Sequence, residues 1–255
     1  MPAVIKHQLA LAVRLSDVTD GRGVENDVTF WVNGTEKSPR RKTNGFFIYT
    51  DPALLAQDYD LEVRARGYVP ARRRILLEAP GVSPPDLRLE LVPEEDLRTA
   101  GLYFSLAGRL PGLTAIDAVS ADDTACRVKH YDARRRRLTV FNPHRLEFER
   151  ALYALVQTAE TRYVPFAPEG YSPDGTLKTD RSLTLRGLVN LPLTPVVAGI
   201  TGPEGDYLLR VRKNAAGNRW IVRLRLNEAD KFAGVDFNKP AAWNQDEFLR
   251  AVQQE

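Results

Sequence analysis

Apolar and polar residues alternate with a period of two through most of the first 92 residues, and that period belongs to strands rather than helices. Leu9, Leu11, Val13 and Leu15 form one row, and Val28, Phe30 and Val32 a second. Tyr59, Leu61, Val63 and Ala65 form a third, with Glu62, Arg64 and Arg66 turned to the opposite face. Residues 46–50, then Arg73, Ile75 and Leu77, then Leu87, Leu89 and Leu91 continue the series. Turns fall between the rows at residues 17–23, at Asn33-Gly34, at Asn44-Gly45 and at 67–70. Asn-Gly is a strong hairpin signal because both residues accept a positive φ. Short strands at this spacing predict a β-sandwich.

The second block repeats the strand period less regularly. Its predicted strands are 101–106, 125–131, 138–141, 162–166, 182–189, 196–200, 207–213 and 220–226. Residues 214–218 (NAAGN) read as a hairpin loop joining the last two. Residues 147–160 (EFERALYALVQTAE) have helical propensity, with Phe148, Leu152 and Leu155 near helical spacing, and predict a helix. A second helix is predicted over 244–253, with Asn244 as N-cap, Glu247 three residues on, and Trp243 beside Phe248. A helix that short must dock on something to persist. Pro80, Pro84, Pro85 and Pro93 stiffen the connection between the blocks. The expected fold class is mainly β, with two β-rich domains at 1–95 and 96–255. The first is an antiparallel β-sandwich, and the second a sandwich or barrel with one or two short helices. Residues 59–64 (YDLEVR) and 207–212 (YLLRVR) echo each other faintly, as tandem related domains or any two hairpins would.

Within residues 8–92 the order is a DGRGV turn at 20–24, VTFWV at 28–32, NGFF at 44–47, YDLEV at 59–63, Gly67-Tyr68, and RRILL at 73–77. This succession resembles the transthyretin-like, carboxypeptidase regulatory-like domain family. The opening strand lacks the family's usual glycine, and a longer apolar loop at 52–58 replaces its short Pro-Gly approach. The resemblance implies a noncatalytic sandwich with a stabilising or binding role.

Composition narrows the class. The chain has 255 residues, 43% hydrophobic and 27% charged, as an ordinary globular protein has. Cys126 is the single cysteine, so a disulfide-stapled scaffold is excluded, and a buried, inert thiol is expected. Residues 1–18 carry no signal-peptide pattern, and no stretch approaches the roughly 18 apolar residues of a membrane helix. We therefore expect synthesis in the cytoplasm and no membrane span. Thirty-six basic residues face 33 acidic ones, a net charge of +3. The basic runs at 40–42, 72–74 and 134–137 can be nucleic-acid footprints, but such runs are more often solvated turns and strand edges, where charge blocks edge pairing. No aromatic-rich RNA-binding signature interleaves with them and no helix-turn-helix pattern is present, so nucleic acid is not the expected partner.

Catalytic patterns are missing. There is no nucleophile elbow, phosphate loop, dinucleotide fingerprint or HExxH. His7, His130 and His144 are scattered, and His130 with His144 is a poor metal pair without a carboxylate at ligand spacing. Glu94-Glu95 and Asp122-Asp123 are adjacent in sequence and so diverge on a strand. Asp17, Asp20 and Asp27 could offer oxygens to calcium, and turn formation explains them equally well. Trp31, Tyr68 and Tyr171 could form a sugar-stacking platform, or serve as core and turn residues. No catalytic residue, cofactor or metal site is assigned. The expected function is a non-enzymatic structural or assembly component that presents β-sandwich surfaces to other protein subunits, homo- or hetero-oligomeric. A phage-tail-like or contractile-injection particle, released after assembly in the cytoplasm, suits that expectation. The alternative is a carbohydrate- or surface-binding module.

Overall fold

The computed structural model describes residues 9–79, 86–94, 101–122, 126–142, 148–172, 175–184, 187–213 and 217–238. The chain divides into two units, residues 1–100 and 101–255. The predicted helix 244–253 lies outside the described residues.

The first unit contains eight strands among its described residues: β1 (Leu11–Asp17), β2 (Val28–Val32), β3 (Thr35–Lys37), β4 (Arg40–Arg41), β5 (Phe46–Tyr49), β6 (Tyr59–Ala65), β7 (Ala71–Ile75) and β8 (Leu87–Leu91). They form two sheets, ordered β4-β5-β1-β8 and β3-β2-β6-β7. The second sheet is antiparallel throughout. In the first, β1 pairs with β8 in parallel, which departs from the expected all-antiparallel sandwich. The inward rows meet between the sheets. Phe30 of β2 lies 4.9 Å from Phe47 and 5.9 Å from Tyr49 of β5, ring centre to ring centre. Leu11, Val13, Leu15, Leu61 and Val63 complete a core from which water is excluded, each worth about 1.5–3 kcal/mol on burial. The Asn33-Gly34 hairpin joins β2 to β3, with φ of 47° and 78°. Asn44-Gly45 turns β4 into β5 with the same handedness.

The second unit contains fourteen described strands. They are β9 (Tyr103–Arg109), β10 (Leu113–Ser120), β11 (Cys126–Asp132), β12 (Arg137–Phe141), β13 (Tyr153–Gln157), β14 (Arg162–Phe166) and β15 (Pro168–Ser172), followed by β16 (Thr176–Thr179), β17 (Pro192–Pro195), β18 (Val197–Ala198), β19 (Ile200–Thr201), β20 (Asp206–Arg212), β21 (Arg219–Leu226) and β22 (Ala229–Asp236). Three open sheets result, ordered β14-β13-β17-β11-β12-β16-β15, β18-β10-β21-β22 and β19-β20-β9. None closes into a barrel.

Four expectations are corrected here. No α-helix occurs among the described residues; the two helical pieces are single 3-10 turns at Pro52–Leu55 and Thr158–Glu160. The predicted helix 147–160 contains β13 instead. Tyr153 and Leu155 enter one core and Ala154 and Val156 another, so the strand is buried on both faces and shows no polar alternation. Residues 182–184 are irregular and 187–190 lie in turns, where a strand was expected. Finally, β20 and β21 are not a hairpin. β20 pairs with β9 and β19, whereas β21 pairs with β10 and β22. Facing sheets demand the same inward alternation as paired strands, so the pattern could not separate them. The echo between β6 and β20 extends no further than alternate burial, because the sheets around them differ in strand number and order.

Candidate functional site

The outward row of the β3-β2-β6-β7 sheet carries the most organised polar surface of the first unit. Register places Trp31 opposite Glu62, Glu62 opposite Arg72, and Asp60 opposite Arg74. Glu62 Oε1 accepts from Arg64 Nε at 2.6 Å, and its Oε2 accepts from Arg72 Nε at 2.8 Å. Arg74 donates to Asp60 Oδ2 at 3.0 Å. The hydrogen bond from Arg64, with the charges of Arg64 and Arg72, holds the Glu62 carboxyl below its ordinary range. The Arg64 guanidinium also lies 4.4 Å above the Trp31 ring, a cation–π contact. Beside this ladder is an open concavity of about 310 Å³, lined by Gly34, Asp60, Glu62 and Arg72, Arg73 and Arg74. It is shallow and charged, unlike the enclosed apolar pocket of a small-molecule site.

A second polar cluster lies inside the second unit. Asp117 of β10 faces Arg223 of β21 across the ladder. Arg223 donates to both Asp117 oxygens, with Nε at 3.0 Å from Oδ1. The Tyr163 hydroxyl of β14 donates to the same carboxylate, so the cluster joins the seven-stranded sheet to the four-stranded one. Arg223 reaches Asp230 at 3.3 Å, and Arg225 grips Asp230 at 2.8 and 3.1 Å. Burial and the neighbouring Asp117 charge push the Tyr163 phenol well above its usual value. Burial would raise the Asp230 carboxyl, but the Arg225 hydrogen bond and the two guanidinium charges outweigh it and hold the carboxyl low. Asp117 and Arg223 are each under a tenth exposed. Asp117, Arg223 and Tyr163 are paired with one another and buried, while Asp230 and Arg225 reach the surface, so the cluster serves as an inter-sheet tie.

The residues singled out from sequence do not converge. Tyr68 turns inward, its hydroxyl donating to Asp17 Oδ2 at 3.0 Å, and it packs on the core. Trp31 is under Arg64, and Tyr171 belongs to the other unit, 4.8 Å from Phe148. Within the first unit Trp31 lies on the outward face and Tyr68 against the core, so these two form no common platform. Asp17 is occupied by Thr19 and Tyr68, Asp20 caps Arg22, and Asp27 approaches Arg66 at 3.8 Å. Their oxygens serve separate turns. Among the described residues no three metal-ligating side chains meet. His130 is exposed on β11, while His7, His144, Glu95 and Asp123 lie outside the described residues. Cys126 is buried, its thiol 3.6 Å from Asn142 Oδ1. Both the Glu62 ladder and the Asp117 tie were missed from sequence. Their partners lie up to 106 positions apart and meet through strand register.

No family model matches the chain, and no curated protein matches it. Among solved structures, a Bacteroides ovatus mixed-linkage glucan utilization locus protein, SGBP-B, in complex with a mixed-linkage heptasaccharide, is 12% identical over 92% of this chain, with a TM-score of 0.14. This chain spans 44% of that one. A chimeric titin Z1Z2 tandem is 10% identical over 90% of this chain and 94% of its own, at 0.15. Drosophila OTK extracellular domains 3–5 give 8%, 92% and 67%, at 0.13. Scores that low carry no argument about what this chain does.

Proposed function

We propose that the chain is a non-enzymatic structural or assembly component whose first unit presents its β2-β6-β7 face to another protein subunit. The observation behind this reading is the charge ladder Arg64–Glu62–Arg72 with Asp60–Arg74, laid beside Trp31 on an open face. Exposed ion pairs contribute about 0–1 kcal/mol each to folding. The ladder therefore does little for stability, whereas ordered charge of both signs sets register and selectivity for a complementary protein surface. An indole among arginines is also the composition that dominates binding energy at interfaces. The order of turns and strands in residues 8–92 supports reading this unit as a transthyretin-like module. The particle setting rests on fold-level analogy alone.

The test is pairwise. Wild-type chain and Glu62→Lys, matched by circular dichroism and melting temperature, are immobilised and exposed to extract of the native cell. The reading predicts a stoichiometric protein partner whose retention drops at least about tenfold in the variant. Equal retention of every bound protein by both forms contradicts it.

A further inference from the structure

The runs of arginine in the two units do different things. In the first unit Arg72 and Arg74 are balanced by Glu62 and Asp60. In the second, the β11-β12-β16 part of the seven-stranded sheet has one face whose charges are not balanced. Cys126, Val128, Leu138, Val140 and Leu177 fill the core side of β11, β12 and β16. The pleat consequently sends Arg127, Arg137, Thr139, Phe141 and Lys178 to the other side. An irregularity in the register between Val128 and His130 adds one residue to β11. It returns Tyr131 to the core side and leaves Lys129 and His130 exposed. Register then sets Arg127 opposite Phe141, and Asp132, Arg137 and Lys178 in one row across three strands.

Two features of this face have no explanation in folding. Phe141, the last residue of β12, is 49% exposed, with Lys129 Nζ 5.4 Å from its ring centre. Arg127, Lys129 and Arg137 have no ion-pair partner among the described residues; Arg127 reaches only the Asn190 carbonyl, at 2.9 Å. The carboxylates nearby are engaged. Asp132 accepts the Arg134 and Arg135 backbone N–H groups, and Glu169 serves Arg136 and Lys178. The cations extend along β12 for roughly 13 Å at the usual rise per residue.

We propose that this face, centred on Phe141 and edged by Arg127, Lys129 and Arg137, binds single-stranded nucleic acid. A single strand uses both features at once, stacking a base on the ring while phosphates meet the cations. An acidic peptide would use the charges and leave the ring idle. A duplex hides its base faces and would do the same. This goes beyond the protein-assembly reading, which concerns the other unit.

The test is fluorescence anisotropy of a labelled oligo-dT of about 20 nucleotides with the full chain, between about 50 and 200 mM salt. Binding should weaken linearly in log–log form. Arg127→Ala, Lys129→Ala and Arg137→Ala should each flatten the slope by about 0.7. Phe141→Ala, at an exposed position and checked by melting temperature, should weaken binding roughly 5- to 100-fold with the slope unchanged. The double variant Arg72→Ala/Arg74→Ala should bind as wild type. The proposal is overturned by no binding at the lowest salt, by Phe141→Ala binding normally, by polyglutamate competing as well as oligo-dT, or by loss of binding in the Arg72/Arg74 variant.

Discussion

Gly45 and Gly23 touch where the turn before β5 crosses the turn after β1. A Cβ on Gly45 would lie 2.2 Å from the Leu15 carbonyl oxygen, and φ there is +75°. Gly45→Ala combines a backbone clash with a left-handed φ and should lower stability by about 3 kcal/mol, read by urea unfolding. Tyr49 and Tyr59 are also intolerant, in another way. Burial pushes the Tyr59 phenol up to about 12 and Tyr49 further. In the unfolded chain both ionise near 10. The folded state therefore holds its protons longer, and the contribution is intact below pH 10 and lost as pH rises toward 12. Alkaline titration followed by circular dichroism should show unfolding in that window; a chain equally stable at pH 9 and pH 12 contradicts the assignment. In the second unit, Asp117→Ala strands a buried guanidinium and should cost about 3–5 kcal/mol. Asp117→Leu with Arg223→Met should recover most of that loss, because the tie is a balance of desolvation against pairing.

At the scale of elements, strands with one wet face were legible and strands without one were not. β2, β6, β8 and β14 fall where alternation predicted them, since Trp31, Glu62 and Arg64 mark the solvent side. β13 was misread because Ala154 and Val156 face a second core, so its apolar run carried no period of two. β10, with five buried residues in eight, was passed over for the same reason. Pairing was the other blind spot. Alternation says which way a side chain points and nothing about which strand lies beside it. Arg73 shows how an edge is managed. It sits on β7 in the core-side register opposite Leu61, yet is exposed. A charge there blocks a further strand from adding to the sheet. Arg73→Val should leave the melting temperature unchanged or higher and increase light scattering on concentration; unchanged scattering would show that the edge is protected otherwise.

At the scale of the whole molecule, the proline-bearing connection sets the expected boundary between residues 95 and 96, and the chain divides into units 1–100 and 101–255. The surfaces were not readable. Glu62 meets Arg72, and Arg127 meets Phe141, through register, and no local motif records either meeting. Polar groups described above are tied inside, as at Asp117, or laid out on open faces, as at Glu62. The proposed function assigns those open faces to contacts with other molecules. The most direct measurement is the sedimentation of the untagged chain in extract of its native cell, beside the purified chain over a range of concentrations. The account predicts a discrete complex larger than the 28.6 kDa chain. A monomer in the extract and at every concentration would contradict it.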